Sequence, residues 1–188
     1  MSKSVKFGFK NVHVAKLTES NGAITYGTPF EILGGVNFSA DPEGNINPFY
    51  ADDSKYYVST AKNGYTGSLE IADVPAEFLT NIMGMTQDSN GAIVENTGDK
   101  ESRFALMCEV DGDPTKSRVV FYDCLATRPK IEYSTKEDNV EVKTATMDLT
   151  MNPRSTDGKV KAVLPKTDDN TTVYNNFFSA VYESSASV

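Results

Sequence analysis

Residues 47–84 read NPFYADDSKYYVSTAKNGYTGSLEIADVPAEFLTNIMG and contain the clearest structural signals of the chain. Two runs typical of strands, 56–61 and 65–73, flank Lys62, Asn63 and Gly64. Because Asn-Gly readily adopts positive φ, these residues predict a tight turn between antiparallel strands. In the second run the polar side chains alternate with apolar ones, so one face of the strand is expected to be wet.

Helical periodicity begins after Val74. Pro75 suits the first turn of a helix, Glu77 complements its positive end, and Gly84 is placed to end it. A helix over 75–83 is too short to persist alone in water. We therefore expect its apolar side to pack on a sheet.

The three pieces 47–52, 64–67 and 75–84, taken in this order, resemble the major tail protein, or tail tube protein, of long-tailed, non-contractile bacteriophages of Gram-positive bacteria. The resemblance implies a mainly β fold: two packed antiparallel sheets, a sandwich or barrel of the tail-tube type, with one short flanking α-helix. It implies a structural virion protein that assembles into stacked hexameric rings. These rings would form the tail tube, a conduit for genome delivery.

The chain divides into a β-domain over 1–166 and a C-terminal arm over 167–188, where the composition shifts to Asp, Asn, Thr and Ser. Two prolines and a glycine within 41–48 argue against a regular strand there, so a long loop is expected over 41–53. The arm is expected to belong to the same assembly unit.

Strand signals dominate the rest of the β-domain. Hydrophobic alternation runs over 5–17 with a phase shift near Lys10 and Asn11, and turn residues at 19–22 and 111–114 predict two hairpins. The run VVFYDCLA, residues 119–126, is apolar on both faces apart from Asp123. Such a strand must be covered on both sides, by the helix, a second sheet or a neighbouring subunit.

The 188-residue chain carries 18 basic and 26 acidic residues, a formal net charge of -8. The basic residues are scattered, which argues against tight nucleic-acid binding. No apolar run reaches the ~18–20 residues that span a bilayer, and the start lacks a secretory signal. We expect no membrane partner, and production and assembly in the host cytoplasm.

Residues that could carry chemistry are sparse. His13 is the single histidine, and Cys108 and Cys124 lack the spacing of zinc or redox motifs. We expect free buried thiols, no catalytic residue, no metal site and no cofactor, and therefore no enzyme. Carboxylate pairs for glycoside cleavage stay open, because the sequence does not give their separation.

The resemblance places the family's contact between rings or subunits in the loop over 41–53. Aromatic anchors and charged residues in this loop would hold the neighbour; they are Asp41, Pro42, Phe49, Tyr50, Asp52 and Lys55. The alternative is a surface loop folded back on its own sheet.

An aromatic island in the C-terminal arm predicts a second contact. Its apolar members could dock across a neighbour; they are Tyr174, Phe177, Phe178 and Val181. The alternative is a last strand or helix of the same domain.

The polar faces of two strands are the expected lumen wall of the tube. They carry small polar and acidic side chains, namely Thr66, Ser68, Glu70, Thr144, Thr146 and Asp148. Double-stranded DNA would pass this wall without specific binding, because carboxylates repel phosphates.

The expected partners are further copies of the chain and other tail proteins such as the tape measure, tail tip and terminator, all in the virion tail. Two other classes remain open. A carbohydrate- or receptor-binding β-module on a virion or cell surface would share the fold class, and so would the inner tube of a contractile tail or secretion system.

Overall fold

The computed structural model describes residues 8–44, 46–51, 54–60, 62–132 and 143–184, and over 46–51 and 54–60 it describes the backbone alone. The elements, in chain order, are β1 (Phe9–Ser20), β2 (Ala23–Tyr26), β3 (Phe30–Ile32), β4 (Gly35–Glu43), β5 (Ile46–Ala51), β6 (Ser54–Thr60), β7 (Gly64–Ile71), α1 (Ala76–Asn81), β8 (Thr86–Gln87), β9 (Ile93–Val94), β10 (Phe104–Val110), β11 (Arg118–Ala126), β12 (Ala145–Met151), β13 (Lys161–Leu164) and α2 (Thr171–Asn175).

Nine strands of the described chain form one antiparallel sheet. Its order is β2-β1-β10-β11-β12-β7-β4, with β3 added to β1 and β13 added to β11. The sheet curls until distant strands meet, since the rings of Phe9 in β1 and Phe38 in β4 stack with centroids 5.6 Å apart. The predicted mainly β fold with a short flanking helix is confirmed, and the two packed layers are halves of this one sheet.

The main core lies inside the curl. Strand β12 shows the required alternation, with Ala145, Met147, Leu149 and Met151 buried and the residues between them exposed. Helix α1 covers one end of the core through Phe78, whose ring meets that of Phe104 edge-on with centroids 5.9 Å apart. Burying such a side chain contributes about 1.5–3 kcal/mol, which explains why this short helix is stable here.

A second apolar cluster covers the outer face of β10 and β11. Ala105, Met107, Val120 and Tyr122 pack there against Phe177 from the segment that follows α2. Within the stretch 119–126, Val120 to Cys124 are all buried and therefore covered on both faces as predicted, whereas Leu125 is 41% exposed. The cover is the chain's own C-terminal segment.

Two local predictions in β1 are confirmed. The register of β1 against β10 shifts between Lys10 and His13, and Asn11 takes a φ of 54° at that point. At the other end of β1, Asn21 and Gly22 both have positive φ, 51° and 75°. This turn joins β1 to β2 as the turn chemistry predicts.

The predicted loop over 41–53 is wrong for most of its length. Strand β4 continues through Glu43, and β5 begins at Ile46. Pro42 is tolerated because β4 ends the sheet order, and an edge strand can lack one backbone donor without losing a ladder bond. Helix α2 lies in the C-terminal arm, for which a last strand or helix of the same domain was the alternative prediction.

Candidate functional site

A polar surface runs across β4, β7 and β12 on the side opposite the core, and we call it the polar wall. Its residues pair across the three strands and form three rows. The rows are Asn37–Glu70–Thr146, Ser39–Ser68–Asp148 and Asp41–Thr66–Thr150. All six residues predicted for a lumen wall lie on these strands or directly before β12: Thr66, Ser68, Glu70, Thr144, Thr146 and Asp148.

Hydrogen bonds between side chains tie the rows together. The Ser39 and Ser68 hydroxyl oxygens lie 3.1 Å apart, and the Ser68 amide donates to the Ser39 hydroxyl at 3.0 Å. The Thr144 hydroxyl donates to Glu70 Oε1 at 2.5 Å. Strands β4 and β7 also approach each other closely at Gly67. A Cβ at this position would lie 1.9 Å from the Ser39 carbonyl oxygen, so a residue with a side chain would clash there.

The charge of the polar wall is mainly negative. Asp41, Glu70 and Asp148 supply carboxylates, and the paired residues of β4, β7 and β12 include no Lys or Arg. At the border of the wall Lys130 pairs with Thr146, and its ammonium group forms an ion pair with Glu132. Sequence reasoning missed the β4 members, Asn37 and Ser39. Their alternation with Phe38 and Ala40 is the signal that could have found them.

The residues predicted for the inter-subunit contact fall into two groups. Asp41 and Pro42 lie exposed in β4, and Asp41 belongs to the polar wall. Phe49 and Tyr50 lie in β5 and Lys55 in β6, where only the backbone is described, and Asp52 is outside the described residues. The structure brings Asp41 into the polar wall, and the contact itself stays a prediction.

The predicted docking residues of the C-terminal arm lie on the chain's own sheet. Tyr174 and Phe177 are buried, and Phe178 and Val181 are partly buried against the same cluster. The ring of Phe178 stacks on that of His13 with centroids 4.5 Å apart. This packing corresponds to the alternative in which the arm is a last element of the same domain.

Two arginines that sequence reasoning missed hold this segment. Arg118 donates through Nη1 to the Tyr174 carbonyl, and its guanidinium lies 3.9 Å from the centroid of the Tyr174 ring. Glu109 accepts from Arg118 Nε at 3.1 Å. Glu109 faces Arg118 across the β10–β11 hairpin, but Tyr174 is 56 residues away in the chain, so no local pattern predicts that contact.

Arg154 holds the segment farther along. This arginine is 7% exposed, donates to Asp157 and Glu183, and lies 4.7 Å from the centroid of the Tyr122 ring. Its hydrogen bonds to the two carboxylates raise the pKa of Arg154, and the bond from Arg154 lowers the pKa of Asp157. The side chain therefore stays charged, and it fixes the chain near Glu183 to the rest of the domain.

Groups that could carry chemistry are not gathered in the described part of the chain. No cluster of three or more His, Cys, Asp or Glu residues suited to a metal ion occurs among the described residues. Cys108 and Cys124 are free and buried, and burial raises the pKa of the Cys108 thiol to about 12. In the same described part, no helix has the length and apolar character needed to cross a bilayer.

Comparison with known proteins agrees with the resemblance seen in the sequence. No curated protein matches the chain. A family model described as phage tail tube protein matches residues 1–174. The match spans the curled sheet, the polar wall and most of α2. The chain therefore belongs to the phage tail tube protein family and has the structural role of a tail tube component.

Proposed function

We propose that the chain assembles with itself into hexameric rings, and that the rings stack into a tube through which the phage genome is delivered. The observation that carries this proposal is the polar wall. It is a continuous sheet face of hydroxyl, amide and carboxylate groups, with no basic side chain among the paired residues of β4, β7 and β12. We assign this face to the lumen.

Unpaired edges of the sheet would favour the association of copies into a ring. Strands β2 and β4 end the sheet order, so in the described chain each is paired along one side only. An unpaired edge presents backbone donors and acceptors to any strand that can reach it. A closed ring of head-to-tail copies satisfies such edges without leaving a free end.

The lumen assignment explains passage without binding. Most of the affinity between proteins and DNA comes from contacts of Lys and Arg with phosphates. The paired residues of β4, β7 and β12 include neither, and Lys130 at the border of the wall is already paired with Glu132. Carboxylates such as Glu70 and Asp148 would repel DNA within a Debye length of ~8 Å. DNA would therefore slide along the wall.

Further contacts of the tube follow from the same proposal. We infer that Phe49, Tyr50, Asp52 and Lys55 contact a neighbouring copy. The C-terminal segment would add contacts through its exposed side chains, such as Val173, which is 47% exposed. Tape-measure, tail-tip and terminator proteins would be the other partners, in a virion tail assembled in the host cytoplasm. We propose no catalytic role.

The lumen assignment is tested by reversing charge on the polar wall. In a phage carrying Glu70→Lys with Asp148→Lys, we expect assembled tails of normal length that deliver DNA at least about tenfold less often, because new cations would hold the phosphates. The matched control is Asp168→Lys with Asp169→Lys, the same change of charge away from the wall. Tail length is measured by electron microscopy and delivery by genome ejection. Normal ejection from the first variant would remove the lumen assignment.

A further inference from the structure

One exposed apolar pair of the described chain lies at an end of the β4–β7 strand pair. Leu33 is 73% exposed and Val36 is 51% exposed. They flank Gly34 and Gly35, where the chain turns from β3 into the start of β4, and the Ala72 amide donates to the Gly34 carbonyl at 2.7 Å. The turn is therefore fixed to the end of β7. We call Leu33 and Val36 the turn patch.

The same two strands lead into a two-stranded ribbon at their other end. Pairing of β4 with β7 runs from Gly35 and Ile71 to Glu43 and Gly64. It resumes in β5 and β6 with Ile46 and Thr60 and ends at Ala51 and Ser54. Along the paired chain, the turn patch and the ribbon end at Ala51 are thus opposite ends.

The ribbon, β5 with β6, forms a two-stranded sheet of its own that pairs with no other strand of the described chain. Six residues of β5 at about 3.3 Å per residue cover roughly 20 Å. Its sequence contains Phe49, Tyr50, Tyr56 and Tyr57. Aromatic residues are the type most enriched in the cores of protein interfaces.

A stack of identical rings needs two unlike surfaces on each subunit, one at each end. Head-to-tail contacts join a patch to a different patch, and they repeat without closing along the stack. The ribbon and the turn patch meet this requirement, because the ribbon continues the β4–β7 strand pair at one end and the turn patch lies exposed at the other end. Single exposed leucines are ordinary on protein surfaces, and Leu33 and Val36 differ from them by lying at the end of the strand pair opposite the ribbon.

We propose that the turn patch is the surface on which the β5–β6 ribbon of a second copy, in the next ring, docks. This inference rests on the proposed tube. It adds the receiving surface, Leu33 and Val36, and names its occupant as another copy of this chain. Aromatic side chains of the ribbon would cover the two aliphatic side chains and remove them from water.

Cross-linking between two single-cysteine additions tests the contact. Leu33→Cys is made in one preparation and Tyr50→Cys in a second one with a size tag, and the mixture is assembled and treated with a bis-maleimide. The native Cys108 and Cys124 are buried, so they do not compete. The matched control replaces Leu33→Cys by Leu125→Cys, another exposed leucine, which pairs with Thr150 beside the polar wall.

We expect a product that joins one tagged and one untagged chain from the Leu33→Cys mixture, at least about tenfold above the Leu125→Cys mixture. If tubes form but the two mixtures give equal yields, the docking inference is overturned and the proposed tube stands. If wild-type chains form no rings or tubes under any of these conditions, the proposed function fails as well.

A charge substitution gives a second readout. Leu33→Lys should leave the fold intact because the side chain is mostly exposed. It should raise the protein concentration needed for ring stacking by at least about tenfold. The reason is that the leucine side chain would be buried in the contact between rings, whereas the charged lysine would not gain this stabilisation. Leu125→Lys is the control. Unchanged stacking of Leu33→Lys would contradict the inference.

Discussion

Tyr122, which is buried, and Tyr26, which is half-buried, use their hydroxyl groups differently. The Tyr26 hydroxyl donates to the Tyr122 carbonyl at 3.0 Å. The Tyr122 hydroxyl is buried without a hydrogen-bond partner among the described residues, and burial raises the pKa of Tyr122 to about 12. An unsatisfied buried hydroxyl costs about 1–3 kcal/mol, so the ring of Tyr122, rather than its oxygen, stabilises the fold.

Tyr122→Phe is therefore expected to raise the free energy of unfolding by about 1 kcal/mol, because it removes the unpaired oxygen and keeps the ring under Arg154. Tyr26→Phe is the matched control and should lower that free energy by about 1 kcal/mol through loss of its hydrogen bond. Chemical denaturation measures both. Equal destabilisation by the two substitutions would show that the Tyr122 hydroxyl has a partner.

The two cysteines make a second prediction about single residues. Cys108 is 3% exposed and Cys124 is 0% exposed, and with the pKa of Cys108 near 12 only ~10⁻⁴ of it is thiolate at about pH 8. We expect no labelling of the folded chain by a maleimide and labelling of both thiols in denaturant, read by mass spectrometry. Leu33→Cys, which adds one exposed thiol, is the positive control. Rapid labelling of the native protein would contradict the buried placement.

Among the elements, the C-terminal segment has a role that the structure makes specific. It covers the outer face of β10 and β11 through Phe177, and Arg118 and Arg154 fix it at two places. Because Tyr174 and Phe177 are buried on the chain's own sheet, removing the segment would uncover Met107, Val120 and Tyr122. The segment thus contributes to folding in addition to any contact between copies.

Phe177→Ala is expected to lower the free energy of unfolding by about 2–4 kcal/mol. This loss is slightly smaller than for the same substitution in a central core, because the C-terminal segment can detach from the sheet once its anchor is lost. Val173→Ala, at an exposed position of α2, should change it by less than about 0.5 kcal/mol. Chemical denaturation measures the free energies, and limited proteolysis near α2 detects detachment. Phe177→Ala with wild-type stability and protease resistance would place the segment away from the sheet.

The elements also show what the sequence could and could not predict. Alternation and turn residues were enough for β1, β7, β12 and α1, since each has one wet side and one apolar side. They failed at 41–48, where edge-strand pairing tolerates Pro42. They also left open what covers β11, because the Arg118 and Arg154 contacts join residues far apart in the chain. Membership of the wall was predicted for β7 and β12 and missed for β4.

At the scale of the whole molecule, the curled sheet separates four surfaces. The polar wall lies on β4, β7 and β12, the C-terminal segment covers β10 and β11, and the turn patch and the ribbon lie at opposite ends of the paired chain from β4 and β7. A ring needs the sheet edges, a lumen needs the polar wall, and a stack needs the two unlike ends. Each surface can thus be altered separately by substitution.

Electron microscopy of the purified chain at rising concentration, with and without its tail-tip complex, tests whether these surfaces form a tube. We predict annular particles with six-fold symmetry that stack into hollow filaments, with Glu70 and Asp148 on the inner wall. A chain that stays a monodisperse monomer at every concentration, with the tip complex present, would contradict the account.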